Sequence, residues 1–259
     1  MGLTAAEIIE HPAFSQNVIW DLRPTEKAKC AVAKGRGGPF NLMYEIHGTG
    51  PIHIIWIMGL GALKWYWQRQ TQDFGHDESS KYSCLIFDNR GMGIENSFSI
   101  SVIMLKCHSI PKSLDAQVEE VKSRVSESWL SAPDEDGSFP TNGDRFAAQE
   151  LTKRRDPIAF TRKGFLCQIV AVGFHKKIAG QLQRIADDVG RERIQVLHGT
   201  VDNLITFPHM GVLLAGLGGE EGGVTKVVFE GRGHYLPLEE RKRFKDIIEA
   251  MVEKAGNMQ

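Results

Sequence analysis

Two short apolar runs with a helix-like stretch between them constrain the fold of this chain most. Residues 52–58 read IHIIWIM and end at Gly59, and residues 82–88 read YSCLIFD. Short apolar runs bounded by turn residues are typical of strands buried on both faces of a sheet. Residues 65–74 between them predict a helix. Strand, helix and strand at this spacing predict a parallel βαβ unit with a right-handed crossover.

The flanking segments extend this α/β pattern. Residues 29–33 and 40–46 are strand-like, and the turn-rich segment 35–39 between them predicts a hairpin. Strands are also predicted at 193–197 and 225–230, and helices at 114–129, 144–155, 157–175, 178–189, 208–217 and 238–254. Ser113 is suited to cap the first of these helices, Pro157 to a first helical turn and Gly190 to a helix end.

This order of elements predicts an α/β fold with a mostly parallel sheet and a helical cap. Residues 1–112 form the N-terminal half of the core, 113–190 the cap and 191–259 the C-terminal part of the core. The cap contains Phe146, Phe160, Phe165 and Phe174, which indicate an apolar pocket, although core packing explains them as well.

Charge and composition exclude several classes of function. The 259 residues carry a net charge of −1, so no basic field would recruit nucleic acid. The four cysteines are scattered without C-x-x-C spacing, which indicates free thiols in a reducing compartment. The first residues lack a signal peptide, and the longest apolar run is too short to cross a bilayer. We therefore expect a soluble, cytoplasmic protein with no metal and no cofactor.

Two motifs in the C-terminal part carry side chains suited to acid–base catalysis. HGTVDN (198–203) places Asp202 just after one predicted strand, and GRGHYLP (231–237) places His234 just after the next. Active groups of open α/β sheets lie beyond the carboxyl ends of strands. A carboxylate there can orient a histidine that acts as general base. Taken singly, Asp202 could instead cap a helix and His234 could be an ordinary loop residue.

Two glycine turns follow the strands of the N-terminal part. In Met58-Gly59-Leu60-Gly61 the backbone N–H groups could face a developing oxyanion, or the segment could be a plain turn. The second turn, residues 88–93 (DNRGMG), does not complete a dinucleotide-binding G-x-G-x-x-G pattern. It would shape a loop beside the active site.

Together these motifs resemble the α/β-hydrolase superfamily, in its cap-bearing esterase, lipase and epoxide-hydrolase-like branch. The resemblance implies that Leu60 supplies an oxyanion N–H group and that Asp202 and His234 are the catalytic acid and base. Met58 stands where the family usually has histidine. Asp88, Arg90, Gly91, Gly93 and Ser97 match the family's D-x-R-G-x-G-x-S loop, with two extra residues before Ser97.

The chain departs from this family at the nucleophile. The family carries a nucleophile elbow, G-x-S-x-G, between the loop ending at Ser97 and the cap, and this sequence contains no such motif. Residues 98–112 have room for one short strand, 100–105, but not for a central strand with its flanking helices. We therefore expect these elements to be deleted. The nearby candidates Ser97, Ser99, Ser101, Cys107 and Ser109 lack the strand–turn–helix context of a nucleophile.

Three hypotheses remain open from the sequence. The chain is an impaired ester or acyl hydrolase of unknown nucleophile, a non-catalytic protein that binds a small apolar, ester-like molecule, or a truncated isoform. Deletion of core elements would expose apolar surface, so self-association or poor solubility is expected.

Overall fold

The protein, described by a computed structural model over residues 2–14, 18–93 and 113–257, contains six named strands and ten α-helical segments in those ranges. The strands are β1 (Glu26–Val32), β2 (Phe40–His47), β3 (Ile52–Trp56), β4 (Tyr82–Phe87), β5 (Gln195–Gly199) and β6 (Thr225–Phe229). The helices are α1 (Ala5–Glu10), α2 (Gln68–Gln70), α3 (Leu114–Lys122), α4 (Glu127–Leu130), α5 (Asn142–Arg155), α6 (Arg162–Phe174), α7 (Ala179–Val189), α8 (Pro208–Gly216), α9 (Leu236–Glu239) and α10 (Arg241–Gly256). The 3₁₀ segments are Pro12–Phe14, Lys64–Trp67 and Arg191–Arg193, and Thr71–Asp77 is π-helical.

The chain divides into two compact units, which are described separately. The first comprises mainly Leu3–Gln117 and Arg145–His175, and the second mainly Val118–Asp144 and Lys176–Gln259. The predicted division into core halves and cap stays a prediction. No helix in the described ranges is long and apolar enough to span a bilayer.

The first unit contains a mixed four-stranded sheet in the order β1-β2-β4-β3. β1 and β2 are antiparallel, which confirms the predicted hairpin. β3 and β4 run parallel, from Ile52 opposite Tyr82 to Trp56 opposite Ile86, which confirms the predicted parallel pair. The crossover between them is not the regular helix expected at 65–74. It passes from the 3₁₀ segment through α2 into the π-helical turn.

The second unit contains a parallel pair of strands, β5 and β6, paired from Gln195 opposite Thr225 to Gly199 opposite Phe229. Buried apolar side chains from β5, from α7, from α8 and the residue after it, and from the loop before β6 form one core cluster: Ala186, Val196, Met210, Leu214, Leu217 and Val224. This packing fixes the carboxyl ends of both strands, where the HGTVDN and GRGHYLP segments begin.

Three predicted helices are interrupted or begin elsewhere. The helix expected at 114–129 breaks between α3 and α4, where the Ser123 hydroxyl bonds the carbonyl of Glu120. α6 begins only at Arg162, because the Asp156 carboxylate accepts the N–H groups of Ile158 and Ala159 and holds a turn there. The terminal helix breaks at Glu240, between α9 and α10. The predicted caps at Ser113 and Gly190 are confirmed.

The predicted strand at 100–105 and the candidate nucleophiles from Ser97 to Ser109 lie outside the described residues. The expected deletion of the central strand therefore stays a prediction.

Candidate functional site

Asp202 and His234 form a hydrogen-bonded pair in the second unit. His234 Nδ1 lies 2.8 Å from Asp202 Oδ2. Because an ionised carboxylate only accepts hydrogen bonds, Nδ1 carries the proton and the neutral ring keeps its lone pair on Nε2. The Asp202 side chain is 5% exposed and that of His234 is 29% exposed. The acid is therefore buried and its imidazole partner reaches solvent, which is the orientation that a general base requires.

The Asp202 carboxylate is also held from its other side. Its Oδ1 accepts the backbone N–H groups of Leu204 and Ile205 at 2.8 and 2.9 Å. These bonds turn the loop after β5 back on itself and leave Oδ2 directed at His234.

Backbone bonds join the acid loop to the base loop. Thr200 N donates to the carbonyl of Phe229 at 3.1 Å, and Val201 N donates to that of Arg232 at 3.0 Å. Gly231 N donates to the Thr200 hydroxyl at 2.9 Å. Since β5 and β6 end side by side, these bonds continue their pairing into the loops and bring Asp202 and His234 together.

The predicted oxyanion turn lies in the first unit, directly after β3. Gly61 has a φ of +69°, a conformation that favours glycine, and its N–H donates to the Gln168 side-chain oxygen at 2.8 Å. Leu60 N, the predicted donor, has no acceptor among the described residues. The side chain of Leu60 is 48% exposed.

The second glycine loop lies beside this turn. Asn89 donates its side-chain N–H to the carbonyl of Met58 at 2.7 Å, and the Arg90 guanidinium stacks 3.4 Å from the centre of the Phe40 ring. Asp88 accepts the N–H of Lys64 at 2.7 Å. Burial raises the pKa of Asp88. This loop therefore contacts the turn at Gly59 through Asn89, while Ser97 lies outside the described residues.

Helix α6 packs directly on both glycine segments of the first unit. A Cβ atom on Gly164 would overlap the carbonyl oxygen of Gly91, so only glycine permits this approach. The Phe165 ring lies against Gly61, and Gln168 Nε2 donates to the carbonyl of Arg90 at 3.4 Å. The N–H group of Gly61 is therefore occupied by the side chain of Gln168.

The four phenylalanines of the predicted cap have different environments. Phe160 and Phe165 lie near the donor turn with ring centres 5.5 Å apart. Phe146 is 1% exposed, whereas Phe174 is 86% exposed. Only Phe160 and Phe165 are placed to contact a ligand at the turn.

The structure thus brings Asp202 together with His234. Gln168 links Gly61, which follows Gly59 and Leu60, to the carbonyl of Arg90. The two groups belong to different units. Within the described ranges, no cluster of three or more histidine, cysteine or carboxylate side chains could hold a metal ion.

Solved structures with a similar fold were found, although no protein-family model and no curated protein sequence matches the chain. A bromoperoxidase from Bacillus anthracis matches with a TM-score of 0.57 at 13% identity, over 88% of this chain and 100% of that chain. Est816, an N-acyl homoserine lactone degrading enzyme, matches with a TM-score of 0.55 at 14% identity, over 81% and 96%. A serine hydrolase from Cycloclasticus zankles matches with a TM-score of 0.53 at 13% identity, over 88% and 98%.

These similar structures and the observed elements determine the fold class. The chain has the α/β-hydrolase fold. Identities this low establish the fold and leave the activity open.

Sequence reasoning missed three residues that lie against the candidate residues of one unit or the other. Gln168 bonds the donor turn, and nothing in its local sequence marks it. His198 lies beside the acid, with Nε2 3.9 Å from Asp202 Oδ2, and it belongs to the HGTVDN motif itself. Glu239 accepts the N–H of Gly233, next to His234, and it follows the GRGHYLP motif by two positions.

Proposed function

We propose that this chain descends from ester or acyl hydrolases, retains their acid–base pair in Asp202 and His234, and is catalytically impaired. The observation that carries the proposal is the 2.8 Å bond between Asp202 Oδ2 and His234 Nδ1, with the His234 ring reaching solvent. The similar structures named above include a serine hydrolase, which supports hydrolysis as the ancestral reaction. The substrate class that fits is a small apolar ester.

The impairment follows from the nucleophile. His234 Nε2 can accept a proton, but the sequence has no G-x-S-x-G elbow to present a hydroxyl to it. Loss of the serine alone removes about six orders of magnitude of kcat in a serine hydrolase triad. The second oxyanion N–H of the elbow would be lost with it. A truncated isoform and an evolved non-catalytic relative predict the same defect.

A second candidate function is binding of a small apolar molecule without turnover. Its support is the contact between α6 and the donor turn, where Gln168 occupies Gly61 N and Phe165 lies against Gly61. The Gln168 carboxamide oxygen accepts the N–H of Gly61, as the carbonyl oxygen of a bound ligand would. Displacement of Gln168 by an ester carbonyl would place the apolar part of the ligand against Phe160 and Phe165.

Labelling with a serine-reactive fluorophosphonate tests the proposal. The purified protein and the variant His234→Ala are incubated with the probe, and labelled residues are located by mass spectrometry. We expect equal background labelling of both proteins, because no hydroxyl is activated by His234. Labelling that His234→Ala abolishes would refute the impairment and identify the missing nucleophile.

Sequencing the transcript across codons 97–113 separates the two origins of the defect. A longer transcript with an in-frame segment encoding G-x-S-x-G identifies this chain as a truncated isoform. A transcript that matches the chain supports an evolved loss of the nucleophile.

A further inference from the structure

We infer that Glu239 is a positioning residue that fixes the conformation of the His234 loop, and with it the bond between His234 and Asp202. The inference rests on the proposed role of the Asp202–His234 pair. It adds a residue that neither touches the imidazole nor belongs to the acid–base pair itself.

The Glu239 carboxylate bonds the backbone of the base loop, at Gly233, and that of a second segment, at Ser126. Both of its oxygens accept the N–H of Gly233, at 3.1 and 3.0 Å, and Oε2 also accepts the N–H of Ser126 at 3.0 Å. The residue is 4% exposed. Because a buried carboxylate is costly unless it is hydrogen-bonded, these contacts require the loop to keep the conformation that supplies them.

Gly233 has no room to move away from this arrangement. A Cβ atom at Gly233 would overlap the carbonyl oxygen of Arg124 and would lie 3.0 Å from Glu239 Oε1. The next residue is anchored too, since His234 N donates to the same Arg124 carbonyl at 2.7 Å. Two consecutive backbone N–H groups, at 233 and 234, are therefore fixed on either side of the Cα atom of Gly233.

Residues 123–126, which we call the clamp segment, hold both loops of the pair. The Ser123 carbonyl accepts the side-chain N–H of Asn203, next to the acid, at 3.0 Å. The Arg124 carbonyl accepts the N–H of His234, and Ser126 N donates to Glu239. The clamp segment is where α3 and α4 are interrupted. In a continuous helix the carbonyl groups at 123 and 124 would bond within the helix, so the interruption makes them available to the two loops.

The neighbouring Glu240 provides a matched control. It also has a bond to the base loop, but to a side chain, with Arg232 Nε 2.6 Å from Glu240 Oε1. The Arg232 and Glu240 side chains are 28% and 26% exposed. Exposed ion pairs contribute little to stability or order. Glu239 therefore has a buried bond to the backbone beside His234, and its neighbour Glu240 does not. This bond is the feature that the comparison tests.

Nuclear magnetic resonance of the full chain tests the inference without requiring turnover. The proton on His234 Nδ1 is observed in ¹⁵N-histidine-labelled protein and assigned by its loss in His234→Gln. Glu239→Gln keeps the shape of the side chain but turns an N–H group toward Gly233 N. We expect the Nδ1 proton signal to broaden or vanish, and amide exchange at Gly233 to become at least about tenfold faster. Glu240→Gln should leave both unchanged.

A role in global stability alone gives a different result. It would lower the melting temperature of Glu239→Gln while the Nδ1 proton signal and the relative exchange rate at Gly233 stayed as in the wild type, and that result would overturn the inference. Glu239→Leu is expected to show the larger change. If Glu239→Leu does not fold, Glu239→Gln decides alone. Fluorophosphonate labelling does not enter this test, so the proposed function and this inference can fail separately.

Discussion

Among the described residues, each unit buries one glutamate, and the two glutamates have different partners. Glu150 in the first unit is 1% exposed; its carboxylate lies 2.8 Å from Lys153 Nζ and accepts the hydroxyl of Tyr66. Glu239 in the second unit is 4% exposed and accepts backbone N–H groups, including that of Gly233. The Glu150 carboxylate is thus paired with a cation, and the Glu239 carboxylate is hydrogen-bonded to the backbone.

Because their partners differ, we expect the two glutamates to have different roles, one in stability and the other in positioning a loop. Burial alone would raise the pKa of Glu150, but the charge and hydrogen bond of Lys153 outweigh burial and lower it. Glu150 also lies 3.6 Å from Arg154 Nε. Removal of the Glu150 carboxylate would take the counterion from the buried Lys153, which destabilises the first unit. A carboxylate bonded to backbone N–H groups constrains the one loop that supplies them. We therefore expect Glu150 to govern the stability of the first unit and Glu239 to govern the geometry of the base loop.

The largest expected effect is that of Glu150→Ala. Lys153, whose side chain is 9% exposed, would lose its counterion. The free energy of unfolding should fall by about 3–5 kcal/mol, as measured by urea denaturation. The control Asp246→Ala removes an exposed partner of Lys242 and should change it by less than about 0.5 kcal/mol. A similar small loss for Glu150→Ala would break the comparison, because the buried pair would then contribute no more than a surface pair.

An acid titration should show a smaller effect at Glu45, on β2 of the first unit. Burial alone would raise the pKa of Glu45, but hydrogen bonds from His47 and Lys64 outweigh it and lower the pKa from 4.5 to about 2. A depressed folded-state pKa gives stability that is present above pH 4.5 and is lost as the pH falls toward 2. Urea midpoints of the wild type should therefore exceed those of Glu45→Gln at about pH 7, and the difference should shrink at about pH 3.

In the same acid titration, Asp88 should change stability in the opposite direction to Glu45. Its pKa is raised, so ionisation of Asp88 costs stability at neutral pH and the cost disappears as the carboxyl is protonated. The wild type should gain stability relative to Asp88→Asn as the pH falls. If both variants changed in the same direction with pH, the assignment of the two shifts would be wrong.

The smallest expected effect is that of Gln168→Ala at the donor turn. The variant removes the acceptor of Gly61 N, and the free energy of unfolding should fall by only about 1 kcal/mol. Amide exchange at Gly61 should become about tenfold faster. Gln181→Ala removes an analogous bond, from Ile178 N at an exposed helix start, and should not affect Gly61. Unchanged exchange at Gly61 in Gln168→Ala would show that Gln168 does not occupy the donor.

Periodicity and glycine spacing predict the parts of the fold that depend on neighbouring residues. The β1–β2 hairpin, the parallel pair β3–β4 and the loops that carry Asp202 and His234 were all predicted. Each follows from a short apolar run and the turn beside it. The positions of Asp202 and His234 follow from two strands that end side by side, a property of parallel sheets rather than of either motif.

Contacts between distant parts of the chain explain what the sequence could not predict. The apolar spacing at 114–129 continues through the clamp segment, so it predicts one helix. At the interruption, Ser126 N donates to Glu239, which is 113 positions away. Gln168 is 107 positions from Gly61. Neither contact leaves a local signal, and the break in the predicted helix coincides with the contacts that hold the site.

The central claim is that this chain retains the acid–base pair Asp202 and His234 but does not catalyse ester hydrolysis. The rate of hydrolysis of a panel of short-chain p-nitrophenyl esters, measured for the wild type and for His234→Gln side by side, tests it most directly. The account predicts equal rates, within about twofold, because the general base has no hydroxyl to activate. A wild-type rate at least about a hundredfold above that of His234→Gln would contradict it, since a general base contributes that much only where a nucleophile is present.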